Sequence, residues 1–161
     1  MKTSLRKIIK DKMFRIQIFL VSDPFKIASL WRQRGIHVGE NTCIYYDVVI
    51  SGGGNEPVYI GSNCVFTGCT LLAHDASTNR FLGIKYGEPS PSESIIIEDD
   101  CFIGYSSIIL MGVKIGKGSI VGAGAVVMKE VPAGSVVIGN PARVICTVDE
   151  LAQKRQMYRR K

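Results

Sequence analysis

The sequence predicts a mainly β fold: a parallel β-helix of six-residue repeats, with short helices at both ends. Three observations carry that reading. An aliphatic residue recurs at every sixth position, at Ile97, Ile103, Ile109, Ile115, Val121 and Val127. Four residues after each stands a small or β-branched side chain, namely Cys101, Ser107, Val113, Ser119, Ala125 and Val131. Gly104, Gly116 and Gly122 follow three of the six aliphatics, and Glu98 follows Ile97. A period of six matches neither the 3.6 of an α-helix nor the 2 of an ordinary strand, and it is the mark of short strands and turns stacked into a prism. Three hexads make a coil of about eighteen residues, with the first residue of each pointing inward. Glycine or a small polar residue second in the hexad suits a turn of positive φ. Helix formers are scarce in this stretch, which disfavours a helical alternative.

The prism is expected to occupy residues 36–145, with a helical cap over 1–35 and a C-terminal helix over 146–161. Hexads begin at Val38, Ile44 and Ile50, break at Ser51–Pro57, and resume at Ile60, Phe66 and Leu72. A longer break, 73–94, contains His74, Asp75, Arg80, Tyr86, Gly87 and a Pro89–Pro91 turn, and should loop out at a corner, because its polar groups have no partners inside. The body is expected to close at Val131–Pro132, and Gly139-Asn140-Pro141 to turn the chain away. Beyond it, Thr147 suits a helix cap, with Asp149 and Glu150 in the first turn.

Ser4 to Val21 reads as a basic, partly amphipathic helix, too short and too charged to span a membrane. Asp23-Pro24 ends it and can open a second short helix through Leu30 to Arg34. Such a segment can seal the open end of the prism, as repeat proteins require, or lie on a membrane as a peripheral contact. Charge is segregated: residues 1–34 carry +7, 35–142 carry −5 and 143–161 carry +4. No aromatic interleaving or nucleic-acid motif accompanies the basic ends, so nucleic acid is not an expected partner. The segment shows no small-residue cleavage pattern, so no signal peptide is expected. Five cysteines form no CxxC pair, and with Cys64 and Cys101 at buried fifth positions they point to a reducing, cytoplasmic setting. No zinc is expected.

The run from Ile115 to Pro132, followed by Gly139-Asn-Pro-Ala-Arg143, resembles the hexapeptide-repeat acyltransferases. Among these it is most similar to maltose and galactoside O-acetyltransferases and to related enzymes of capsule and lipopolysaccharide synthesis. The resemblance covers about Val38 to Ile145. It implies a left-handed parallel β-helix, a homotrimer, and acetyl-CoA lying in clefts between subunits, with a sugar or glycan precursor as acceptor. It also implies that His74 is the catalytic base, since a histidine leaving the repeat body holds that role in the family. The chemistry agrees: a hydroxyl is a poor nucleophile until a base takes its proton, and histidine titrates near neutrality. Asp75 is positioned in sequence to orient that ring or to meet the acceptor. For the acyl donor, the matching positions are Phe102, where the family often has Trp, then Tyr105, Gly122, Ala123, Lys129 and Arg143. The last two would meet the phosphate-bearing end, as positive charge suits an anion. Asp47 falls near the position where relatives bind the acceptor. His37 matches no family site and is read as structural.

Three other functions compete. An N-acetyltransferase on an amino sugar or nucleotide-sugar often carries an extra N-terminal domain, and serine acetyltransferase a longer helical one; only about 35 residues precede the hexads here. A zinc enzyme like the γ-class carbonic anhydrases needs three histidine ligands, and this chain has 2. A non-enzymatic scaffold explains the hexads but not His74 in an insertion together with Lys129 and Arg143.

Overall fold

The computed structural model describes residues 5–51, 58–85, 88 and 90–159. The first break, from Gly52 to Pro57, lies outside the described residues, as do Tyr86, Gly87 and Pro89 of the second. Two helices, α1 (Leu5–Leu20) and α2 (Pro24–Gln33), precede twelve short strands wound around a prism. The strands are β1 (His37–Val38), β2 (Cys43–Ile44), β3 (Val49–Ser51), β4 (Val58–Ile60), β5 (Val65–Phe66), β6 (Thr70–Leu72), β7 (Ile95–Ile97), β8 (Phe102–Ile103), β9 (Ile108–Leu110), β10 (Lys114–Ile115), β11 (Ile120–Val121) and β12 (Val126–Val127). Every third strand pairs in parallel, giving sheet A (β1-β4-β7-β10), sheet B (β2-β5-β8-β11) and sheet C (β3-β6-β9-β12). Two further strands, β13 (Ser135–Ile138) and β14 (Arg143–Thr147), extend sheet B, and α3 (Val148–Arg159) follows.

The registers stack the first hexad residues into three columns: Val38, Ile60, Ile97 and Ile115; Ile44, Phe66, Ile103, Val121 and Val137; Ile50, Leu71, Ile109 and Val127. All are buried. Each contributes about 1.5–3 kcal/mol by leaving water, and none could do so without the coil beside it. The expected fifth-position residues, Cys101 through Val131, are buried as well.

Along one edge the fifth position does more than fill space. Thr42 Oγ1 donates to the Gly61 carbonyl (2.8 Å), Cys64 Sγ to that of Glu98 (3.2 Å), Cys101 Sγ to that of Gly116 (3.3 Å) and Ser119 Oγ to that of Pro132 (2.9 Å). Each side chain thus satisfies a corner carbonyl of the next coil. The hydrogen bond with Cys101 and burial push the Cys64 thiol far above its ordinary range.

Three expectations are corrected. The glycine second in the hexad does not adopt positive φ; that conformation falls on the fourth residue, at Asn41, Asn63, Asp100, Ser106, Gly112, Gly118 and Gly124. Where glycine stands second, it is there because a side chain would not fit: a Cβ on Gly104 would lie 2.7 Å from the backbone of Ala123 and Val121. Leu71, not Leu72, points inward, because the corner between β5 and β6 is one residue shorter and turns at Gly68, φ +43°. The body also does not close at Val131–Pro132. β13 pairs in parallel with β11, and β14 then returns antiparallel to it.

The last coil covers the final prism strand of each of the three sheets. Val131 bridges to Ile115 in sheet A, Val126 exchanges backbone bonds with Gly139 and Ala142 in sheet C, and β14 covers β13 in sheet B. At the first coil, α2 seats Ile27, Ala28 and Leu30 in the core. Its Arg32 donates to the Val38 and Gly39 carbonyls at 2.7 and 2.5 Å. Asp23 caps α2 by accepting from the Phe25 N–H at 2.9 Å, and Thr147 and Glu150 form a reciprocal cap on α3. Of the described side chains of α1, Phe14 and Ile18 are buried, so among the described residues the first coil is met chiefly by α2.

Candidate functional site

The insertion leaves sheet C directly after β6. Its base is a short antiparallel ribbon in which His74 bridges to Ser92, Asp75 N–H donates to the Pro91 carbonyl (2.9 Å) and Glu93 N–H to that of Ala73 (3.2 Å). Ala73 is fully buried and its N–H donates to Ser51 (2.9 Å), so the residue before His74 is fixed to the prism. His74 itself is exposed. A loop histidine is thereby held by a rigid wall on one side and a paired strand on the other, which is what a positioned proton acceptor requires.

Asp75 does not reach toward that ring. Its carboxylate accepts from the Ser77 N–H (2.7 Å) and hydroxyl (2.9 Å). These bonds, backbone first, hold it below the usual carboxylate range, and the neighbouring His74 adds only a small share. Its visible work is to fold the turn after the base.

His74 and Asp47 open into the same cleft, about 780 Å³ in volume. Phe14, Ile18 and Phe19 of α1 form one wall, and Trp31 and Tyr46 contribute further aromatic surface. The Trp31 indole N–H is buried without a partner among the described residues. No residue spacing places either helix beside His74; only the folded N-terminal helices bring that wall there.

Asp47 stands at the corner between sheets B and C. Gly68 lies next in that corner, and a Cβ there would come 2.6 Å from Asp47 Oδ2 and strike the Tyr105 ring. The same edge continues through Tyr105 to Gly122, Ala123 and Gly124, whose N–H donates to the Tyr105 carbonyl (2.8 Å). Four sequence-assigned residues, Asp47, Tyr105, Gly122 and Ala123, therefore share one edge. Cys69, beneath it, is fully buried, and burial pushes its thiol up to about 12, so it is no nucleophile.

Phe102 sits on the outer face of sheet B, partly exposed. Lys129 lies on the corner between sheets C and A, the edge that also carries His74; two coils separate them, roughly 10 Å at the usual strand spacing. Arg143 opens β14 opposite Ile138, and its Nη1 donates to the Ala142 carbonyl (2.8 Å). Lys114 and Lys117 are paired with Glu98, Asp99 and Asp100. Among the described residues, Lys129 and Arg143 pair with no carboxylate. The single chain does not gather all the sequence-assigned residues at one point; they divide between two edges of the prism, with Phe102 on the face of sheet B.

Residues 94–129 match the family model for the hexapeptide repeat of succinyl-transferase. Over 63 residues the chain is 59% identical to a 2,3,4,5-tetrahydropyridine-2,6-dicarboxylate N-acetyltransferase of Clostridium perfringens, covering 39% of this chain and 27% of that protein. Its counterpart in Staphylococcus aureus is 49% identical over 69 residues, 43% of this chain and 29% of the relative. The chain thus matches less than a third of the length of these curated relatives. Among solved structures, a hexapeptide-repeat acetyltransferase from Vibrio cholerae bound to acetyl-coenzyme A superposes with a TM-score of 0.63 at 22% identity, covering 91% of this chain and 90% of that one. A galactoside acetyltransferase in complex with coenzyme A gives a TM-score of 0.63 at 22% identity, over 95% and 88% of the two chains. At such identity the likeness is one of fold, and it extends over nearly the whole chain.

Proposed function

We propose that this chain, which carries the hexapeptide repeat and shares the fold of hexapeptide-repeat acetyltransferases, is an acetyl-CoA-dependent O-acetyltransferase acting on a hydroxyl of a sugar or glycan precursor, such as those of lipopolysaccharide or capsule. The observation that carries this reading is the opening of His74 and Asp47 into one cleft. In it, Asp47 accepts hydrogen bonds from acceptor hydroxyls while His74 takes the proton of the reacting one. The acceptor oxygen attacks the acetyl carbonyl, the carbon–sulfur bond breaks, and His74 returns the proton to the departing thiolate. A base so placed supplies roughly 10²–10⁴-fold in rate. Asp75 contributes by shaping the turn after His74.

The donor fits the chain's own residues. Ala123 is exposed and its small side chain leaves room for a narrow arm, the space beside Gly122 being filled by Ile138; Tyr105 and Phe102 offer exposed rings, and Lys129 and Arg143 pair with no described carboxylate. Their division between two edges supports a homotrimer, in which one edge of a subunit faces a different edge of its neighbour and the donor lies between. Exposed Tyr59, Ile96 and Phe102 on the outer sheet faces are available for such packing. Left-handed winding, a metal-free mechanism and a cytoplasmic setting complete the reading.

A second reading is N-acetylation, favoured by the relatives of Clostridium perfringens and Staphylococcus aureus, both named as N-acetyltransferases. Thiol release from acetyl-CoA, measured against matched panels of sugars, amino sugars and nucleotide-sugars, separates the two. Turnover with hydroxyl acceptors supports the first reading, turnover confined to amines supports the second, and no binding of acetyl-CoA by calorimetry sinks both.

A further inference from the structure

Helix α1 has two apolar faces, and the fold uses one. Phe14 and Ile18 are buried, Phe14 with its ring 4.9 Å from that of Trp31 and under the Arg34 guanidinium at 4.4 Å. The other face carries Ile9, Met13, Ile16 and Leu20, spaced four, three and four residues apart and therefore on one stripe. These are 52%, 61%, 53% and 76% exposed. No described residue covers them, although they are as apolar as the core.

Charge identifies the occupant. Lys10 and Lys12 are the described charged residues that flank the stripe, Arg15 lies further round by the cleft, and the one acidic residue of the helix, Asp11, is tied to Arg34. A second copy of α1 laid on this stripe would set lysine against lysine, the reverse of what paired helices select. A surface of anionic lipid headgroups meets the same face with opposite charge and an apolar layer beneath. At 16 residues α1 is long enough to lie along such a surface, and no helix among the described residues is long and apolar enough to cross a membrane.

The position of the helix adds a function. Phe14, Ile18 and Phe19 of α1 wall the cleft that holds His74 and Asp47, and Phe19 meets Tyr46 edge to face at 6.4 Å. We propose that α1 is an interfacial anchor whose outer stripe lies in the headgroup layer of an anionic bilayer, setting the cleft at that surface for an acceptor carried on lipid. The docking stands on α1 alone; the lipid-borne acceptor also rests on the role given to His74 above.

Co-sedimentation of the full-length protein with phosphatidylcholine vesicles, with and without phosphatidylglycerol, tests it. The protein is expected to pellet with the anionic vesicles only and to be released by high salt. Ile9→Glu combined with Ile16→Glu, neither of which lines the cleft, should abolish pelleting while the thermal melt stays that of the parent. Lys10→Glu with Lys12→Glu, which spares the apolar stripe, should weaken binding about fivefold for each positive charge removed. Failure of the parent to pellet, or pelleting of the Ile9/Ile16 variant at parental strength, overturns the proposal. So does a parent that ignores vesicles but loses assembly mass in light scattering when Ile9 and Ile16 are replaced, since a second copy then covers the stripe. His74→Ala should pellet like the parent, so a failure of the enzyme reading leaves the docking result standing.

Discussion

Asp47 and Tyr105 meet across Gly68: the space a Cβ would take on that glycine is already bounded by the carboxylate of one and the ring of the other. The residue proposed for the acceptor and one proposed for the donor are thus set by one turn, at a corner where the hexad loses a residue. Gly68→Ala should cost about 1–2 kcal/mol from its left-handed backbone alone, and should raise KM for the acceptor as Asp47 and Tyr105 are pushed apart. Urea midpoints and steady-state kinetics on the same preparation check both parts.

The glycines of the hexads serve two different needs, and two variants separate them. Gly104→Ala places a methyl against the backbone of the adjacent coil, which cannot yield without opening the ladder, so a loss of about 3 kcal/mol or more is expected. Gly118 has φ +67° and open space around it, so Gly118→Asn should cost only a few tenths of a kcal/mol, asparagine being tolerant of that conformation. Equal losses in chemical denaturation would refute the distinction.

Acid stability should depend on Glu98. The Lys114 ammonium, followed by the Lys117 backbone N–H, holds its carboxyl below the ordinary range. A lowered folded value means that the stabilisation is complete above the unfolded value, near 4.3, and is lost as pH falls through the folded one. Glu98→Gln should therefore be less stable than the parent at neutral pH, with the gap closing below about pH 4. Denaturant midpoints across that range decide it.

Lys129→Ala and Arg143→Ala should each raise KM for acetyl-CoA roughly tenfold with kcat little changed, the pattern of an interaction made equally in ground and transition states. A fall in kcat with KM unmoved would place them elsewhere in the reaction.

His74→Ala should lower kcat by roughly 10²–10⁴-fold with acetyl-CoA binding intact by calorimetry. Asp75→Asn, which keeps a turn-forming acceptor for Ser77, should lose far less than His74→Ala. Equal losses in the two would make Asp75 a partner of the base after all.

The columns Ile97–Val127 were legible because a period of six is a global constraint: every inward residue repeats the demand of the one stacked on it. Leu71 in place of Leu72 was not, since a five-residue corner at Gly68 breaks that count once and restores it. β14 was also hidden. Its burial is slight, and an antiparallel return carries no hexad. His74 and Asp47 could be singled out one at a time, yet their shared cleft depends on where α1 and α2 settle, and no residue spacing encodes that. The exposed apolar stripe of α1 is present in the sequence but indistinguishable there from a core face until the fold leaves it uncovered.

The finished ends of the prism have a consequence for life at high concentration. A stack of parallel strands is a template that would welcome another copy at either end, growing into a fibre by the same hydrogen bonds that hold it together. Here Arg32 and α2 occupy the starting face, while Val131, the 139–142 turn and β14 occupy the other. The antiparallel strand β14 offers an incoming coil the wrong polarity. The chain is a β-solenoid with a built-in first and last rung, which lets a sequence so suited to endless stacking stop after a fixed number of turns.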